Sequence, residues 1–175
     1  MRTKQVIFSE IISLLKAKEA QILRLKRLIT EFKNNGYDIN SKKDRGKTLL
    51  HYAVIYQQEK AARLLVKEGV NIDICDDNYN TPLMQAVLNN DLPMVKALVD
   101  CGADINMSGE FEQTPLHLAV VGNNLEMVKY LVLHEADLDL VDEKNLKPID
   151  YAMDEQNTQI IAYLTSLKGG NENGI

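Results

Sequence analysis

The chain has 175 residues, 45% of them apolar and 26% charged, with a formal net charge of −5 at neutral pH. No run of about 18 apolar residues occurs, and the N-terminus has neither the apolar segment nor the small-residue cleavage site of a secretory signal, so a membrane span is excluded and an intracellular, cytoplasmic protein is expected. Cys75 and Cys101 fit neither a disulfide framework nor a zinc spacing and are read as reduced thiols.

The charge is uneven. Residues 1–48 carry 12 Lys/Arg against 5 Asp/Glu, whereas residues 49–175 carry 8 against 20. A basic end on an acidic body suits a nucleic-acid or anionic-membrane contact through Arg24, Lys26, Arg27, Lys42, Lys43 and Arg45. No aromatic interleaving or phosphate-cradling loop accompanies these residues, so this reading is kept only as the alternative.

In chain order, residues 4–33 contain no Gly or Pro and read as helix. Leu28, Ile29 and Phe32 continue the apolar columns of the later repeats. Val6, Ile7, Phe8, Ile11, Ile12, Leu14 and Leu15 cover more than one helix face. A bend around Lys18–Glu19 would make a helix-pair cap; a single straight helix would leave apolar surface for a homodimer through residues 4–33. The cap, and with it a monomer, is the preferred expectation.

From there one phrase returns every 33 residues: Thr48-Leu-Leu-His51-Tyr-Ala53, Thr81-Pro-Leu-Met84-Gln-Ala86, Thr114-Pro-Leu-His117-Leu-Ala119 and Lys147-Pro-Ile-Asp150-Tyr-Ala152. A second keeps the same register: Gly36-Tyr-Asp-Ile39, Gly69-Val-Asn-Ile72, Gly102-Ala-Asp-Ile105 and Glu135-Ala-Asp-Leu138. Within the unit from Asp76 to Ser108, Thr81-Pro82 opens a first helix by a cap and a pre-set φ, and Leu83, Ala86 and Val87 face inward. Asn89-Asn-Asp91 breaks it. Pro93 opens a second helix with Met94, Val95, Leu98 and Val99 inward, ended at Gly102. The columns Leu65, Leu98, Leu131, Leu164 and Ala62, Val95, Val128, Ile161 are the expected spine.

Over residues 36–167 these phrases resemble the ankyrin-repeat family, whose unit reads Thr-Pro-Leu-His-x-Ala, a helix, then Gly-Ala-Asp-Val-Asn. The resemblance implies an all-α repeat protein, a solenoid of stacked helix-turn-helix units with β-hairpin fingers. The expected division is a helical cap or degenerate repeat over 1–42, repeats over 43–75, 76–108 and 109–141, a capping repeat over 142–167, and a flexible tail over 168–175. Gln159, Thr165 and Ser166 give the closing helix the polarity a cap requires.

Several residues invite a chemical reading. His51 and His117 stand where the family's histidine hydrogen-bonds across repeats, a structural role; Met84 and Asp150 fill the same column, and His134 falls in a loop without an evident partner. Asp76-Asp77, Asp142-Glu143 and Asp154-Glu155 are read as solvated. No nucleophile elbow, phosphate loop or Cys/His cluster occurs, so no catalytic, cofactor or metal site is expected and the chain is read as no enzyme.

The resemblance further implies a concave face of fingers and first helices that binds another protein. On this sequence it selects Arg45, Lys47, Asn78, Asn80, Phe111 and Gln113 on the fingers and Ile55, Tyr56, Leu88, Asn89 and Val121 on the first helices. Phe111, between two glutamates, is either an exposed anchor or folded back on its own hairpin; Leu88 is either exposed or packed between helices. The finger glycine survives as Gly46 but is replaced by Tyr79, Glu112 and Asn145, where a different turn is expected because left-handed backbone is costly for such residues. Glu135 replaces the helix-ending glycine and suggests a looser last unit. The expected function is a scaffold acting as adaptor, effector or inhibitor. Its partner is expected to be a protein, with no small-molecule substrate, nucleic acid or membrane; a Lys, Ile and Asn bias of AT-rich, bacterial type admits delivery into a host cell.

Overall fold

The computed structural model describes residues 2–17 and 21–169. The expected bend at Lys18–Glu19 and residues 170–175 of the expected tail lie outside the described residues. The chain forms two compact units, residues 1–104 and 105–175.

The first unit holds α1 (Lys4–Lys16), α2 (Ile22–Asn34), α3 (Leu49–Ile55), α4 (Glu59–Lys67), α5 (Pro82–Leu88) and α6 (Leu92–Asp100). Its packing repeats: α1 lies on α2, α3 on α4 and α5 on α6, while α1, α3 and α5 form one row and α2, α4 and α6 another. Residues 4–16 and 22–34 are thus two helices packed on each other. Their apolar residues explain why, since Ile7, Phe8, Ile11, Leu14 and Leu15 of α1 and Leu25, Leu28, Ile29 and Phe32 of α2 are all buried. The Phe8 and Phe32 rings meet at 5.9 Å. Glu10 holds the pair from outside by accepting from both Arg2 and Arg24.

The second unit holds a 3-10 turn (Glu110–Glu112), α7 (Pro115–Val121), α8 (Leu125–Leu133), α9 (Pro148–Asp154) and α10 (Thr158–Gly169). Helix α7 packs on α8 and α9, and α10 on α9 and α8. Helix α10 ends two residues beyond the expected boundary of the capping repeat.

Local chemistry sets each helix. Thr81 accepts the Met84 N–H at 3.2 Å with Pro82 following it, and Asp91 accepts the Met94 N–H at 3.0 Å to open α6. Asn124 and Asn157 do the same for α8 and α10. In the last repeat Asp150 inverts the cap, its carboxylate accepting the Lys147 N–H at 2.7 Å. The second helices end in left-handed residues at Gly36, Gly69, Gly102 and Glu135 (φ 75°, 93°, 90° and 68°). Glu135 therefore keeps the glycine conformation, and its carbonyl is held by Asn106 Nδ2 at 3.1 Å.

Leu65, Leu98, Leu131 and Leu164 are at most 2% exposed. Ala62, Val95 and Val128 are buried as expected, but Ile161 is half-buried, while its neighbour Ile160 is buried like Ala61, Met94 and Met127 at the matching position. Val99 is likewise only half-buried, because Ala97 occupies the inner face of α6. Among the described residues no helix is long and apolar enough to cross a membrane.

Candidate partner-binding fingers

Between the helix pairs stand four tight turns, over residues 43–47, 76–80, 109–113 and 142–146. No β-strand occurs among the described residues, so the β-hairpin form expected of the fingers is not confirmed. Only the first finger is a two-rung bridge, Lys43 and Lys47 exchanging N–H···O bonds of 2.8 and 2.9 Å. The second and fourth each keep one rung, Asp76 N–H to Asn80 O at 2.9 Å and Asp142 N–H to Leu146 O at 3.0 Å. There a side chain replaces the other. Asp76 Oδ1 accepts the N–H groups of Asn78 and Asn80 at 2.9 and 3.1 Å, and Asp142 Oδ1 those of Lys144 and Leu146 at 2.9 and 3.0 Å.

These two aspartates are 4% and 3% exposed, which corrects their reading as solvated. Burial alone would raise their pKa, but the N–H donors outweigh it, joined by Lys47 at Asp76 and by the Tyr151 hydroxyl at Asp142. Both carboxyls are held below the ordinary range.

In the first unit the Lys47 ammonium meets Asp76 Oδ2 at 3.2 Å. In the second unit, 66 residues on, Gln113 stands in place of Lys47 and donates to the Tyr151 hydroxyl at 3.1 Å, which in turn donates to Asp142 Oδ2. The Asp142 carboxylate drives the Tyr151 pKa up, aided by burial.

The histidines tie first helices to the next finger. His51 Nδ1 accepts the Thr48 N–H at 3.2 Å, which leaves Nε2–H to donate to the Asn80 carbonyl at 3.0 Å. His117 repeats this on Thr114 and Leu146 at 3.2 and 3.1 Å. Burial pushes both pKa values down, against the pull of the carbonyl that accepts from Nε2–H. His134, by contrast, does have a partner: it caps α8 and its ring lies 4.3 Å from that of Tyr130.

Left-handed backbone recurs at the fingertips, as it does after the first helices at Gln57, Asn90, Asn123 and Gln156. Tyr79, Glu112 and Asn145 adopt φ of 60°, 58° and 60°, so the turn of Gly46 (φ 70°) is kept and the expected different turn does not occur. Tyr79 and Glu112 each cost roughly 1–2 kcal/mol there, and asparagine less. Fingers one and three add a second left-handed residue, Arg45 (φ 57°) and Phe111 (φ 56°). The carbonyls these expose are each bonded by the neighbouring finger, Asp77 N–H to Arg45 O at 3.1 Å and Glu143 N–H to Phe111 O at 3.0 Å. Gly46 cannot be enlarged, because a Cβ would stand 2.2 Å from Asp77 Oδ1 and 2.7 Å from its backbone nitrogen.

The expected binding residues divide accordingly. Arg45, Asn78, Leu88, Asn89, Phe111 and Val121 are exposed. Phe111 at 54% and Leu88 at 52% are neither folded back nor packed between helices. Lys47, Asn80 and Gln113 are half-buried and serve the fingers internally. Ile55 and Tyr56 are half-buried, the Tyr56 ring stacked 6.4 Å from Tyr52, whose hydroxyl donates to Asp44 at 3.2 Å. Burial and the Asp44 charge push the Tyr52 pKa up to about 12.

Sequence reasoning passed over Tyr79, 67% exposed at a fingertip, and Met153, 52% exposed in α9. Tyr79 was legible as a large residue in a glycine column. Of the basic N-terminal residues, Arg24 is paired with Glu10 at 2.9 Å and the Lys43 ammonium donates to the Ser9 hydroxyl at 3.0 Å.

Paired helices, threonine-capped first helices, histidine ties and short fingers define an all-helical repeat protein. A family model of ankyrin repeats, in three copies, matches residues 14–109 and 83–173, and the chain belongs to that family. Ankyrin repeats are generally protein–protein interaction modules and typically non-catalytic. A search of curated proteins found no match.

Proposed function

We propose that this chain is a non-catalytic intracellular binding module that engages a partner protein through its fingertips and the adjoining ends of its first helices. The observation that carries the reading is the exposure of large apolar side chains at those positions: Tyr79 and Leu88 in the first unit, Phe111 and Val121 in the second. Packing inside the chain does not account for them, and exposed aromatics beside aliphatics are the usual make-up of an interaction hot spot. His51 and His117 have both ring nitrogens engaged by the backbone, which fits a framework role and not a catalytic one.

The test is affinity capture from cells of the source organism and of a host, comparing wild type with Leu88→Ser and Phe111→Ser. A protein retained by wild type and depleted at least about tenfold by either variant supports the reading. Equal capture by all three overturns it. The captured protein also separates the roles, since an inhibitor abolishes the activity of what it binds and an adaptor leaves it active.

A further inference from the structure

Resting on that reading, we infer that the second unit's fingers dock a basic segment of the partner protein, with Phe111 entering an apolar socket whose rim is cationic. Three observations converge. Residues 105–175 carry 12 Asp/Glu against 4 Lys/Arg, a net −8, whereas residues 1–104 carry 13 against 16, a net +3. The acidic excess is present at the tip itself, where Glu110 and Glu112 flank Phe111 in sequence, Glu143 donates its N–H to the Phe111 carbonyl, and all three are exposed. Such a tip attracts a cationic surface and repels an acidic one, which sets partner choice and encounter rate.

The backbone supplies the second argument. Phe111 and Glu112 are consecutive left-handed residues, while the matching turn of the first unit has a glycine at the second place. That strained geometry, pinned by the Glu143 N–H on the Phe111 carbonyl, fixes the ring outward before any partner arrives. The third is exposure: the ring is 54% accessible and flanked by carboxylates that need no partner within the chain to stay solvated. A pre-positioned aromatic loses little conformational freedom on docking, which favours its use as an anchor.

The experiment is selection of a random peptide library displayed on phage against the wild-type chain, followed by anisotropy titration of enriched peptides. Variants Phe111→Asn and Glu110→Gln/Glu112→Gln are titrated beside wild type. Asparagine tolerates the left-handed turn, so Phe111→Asn keeps the fold, as its melting curve would verify. The expected peptides carry net positive charge around an aromatic or branched aliphatic residue. They bind Phe111→Asn about tenfold more weakly and the double glutamine variant several-fold more weakly, with affinity falling as salt rises from about 0.05 to about 0.3 M.

Neutral or acidic peptides that still depend on Phe111 overturn the cationic partner while leaving the finger reading intact. Peptides that bind Phe111→Asn as well as wild type overturn the inference, and the capture experiment with Leu88→Ser judges the finger reading. If no peptide is enriched, the inference falls, and the capture experiment judges the underlying reading separately.

Discussion

The two units solve one problem with different chemistry. Each must hold a buried finger aspartate whose carboxylate replaces a backbone rung. In the first unit the counter-group is an ion, Lys47 against Asp76; in the second it is a neutral relay, Gln113 to Tyr151 to Asp142. The histidine ties and the rungs themselves are alike in both. The finger fold therefore requires donors to the aspartate, not a particular charge. The same turn therefore forms with a cation or with a neutral amide at the position of Lys47 and Gln113.

The comparison can be broken at the spine, which the units share. Leu98→Ala in the first unit and Leu131→Ala in the second should each cost about 2–5 kcal/mol in denaturant unfolding, since both side chains are at most 1% exposed. Unequal costs outside that range would mean that the two cores are not equivalent.

The counter-groups should separate the units. Lys47→Met leaves a buried carboxylate without its cation and should cost about 3 kcal/mol. Tyr151→Phe removes one hydrogen bond to a carboxylate that keeps its two N–H donors and should cost about 1–2 kcal/mol. Urea melts of the two variants would test this, and similar costs would sink the distinction between ion and relay.

Acid should weaken both units alike. Folded His51 and His117 have lowered pKa values, so below about pH 6.5 the unfolded chain binds protons that the folded chain does not, and stability falls as pH drops. Below about pH 4 the same sign applies to Asp76 and Asp142, whose folded pKa values are also lowered. Stability measured from pH 8 down to pH 3 by urea titration should decline through both windows; a flat profile between about pH 6.5 and 5 would contradict the buried histidine ties.

The smallest effect has the opposite sign. Glu112→Gly relieves a left-handed residue and should stabilise by up to about 1 kcal/mol, whereas Gly46→Ala at the matching position destabilises because the new Cβ meets Asp77. Differential scanning fluorimetry would read both shifts; a destabilised Glu112→Gly would show that the glutamate side chain contributes more than its backbone costs.

Much of this architecture was legible because it is local. The Thr-Pro caps, the leucine column and the helix-ending residues each act within one turn, and the 33-residue period repeats that local code, so helices and core followed from spacing. The N-terminal pair was half legible: apolar residues on more than one face of residues 4–33 demanded a second surface to cover them, but did not say whether α2, α3 or another chain supplied it.

The fingers were less legible. The sequence alone determined where they stand, which repeats keep the histidine, and that Phe111 sits between carboxylates. It could not reveal that Asp76 and Asp142 turn inward, because their burial depends on donors 29 residues before Asp76, in Lys47, and nine residues after Asp142, in Tyr151. Nor could it show that Tyr79 and Glu112 accept a glycine's backbone. A residue's local preference opposes that conformation by a kcal/mol or two, roughly, and only the hydrogen bonds and helices of the folded unit on either side of the turn overrule it.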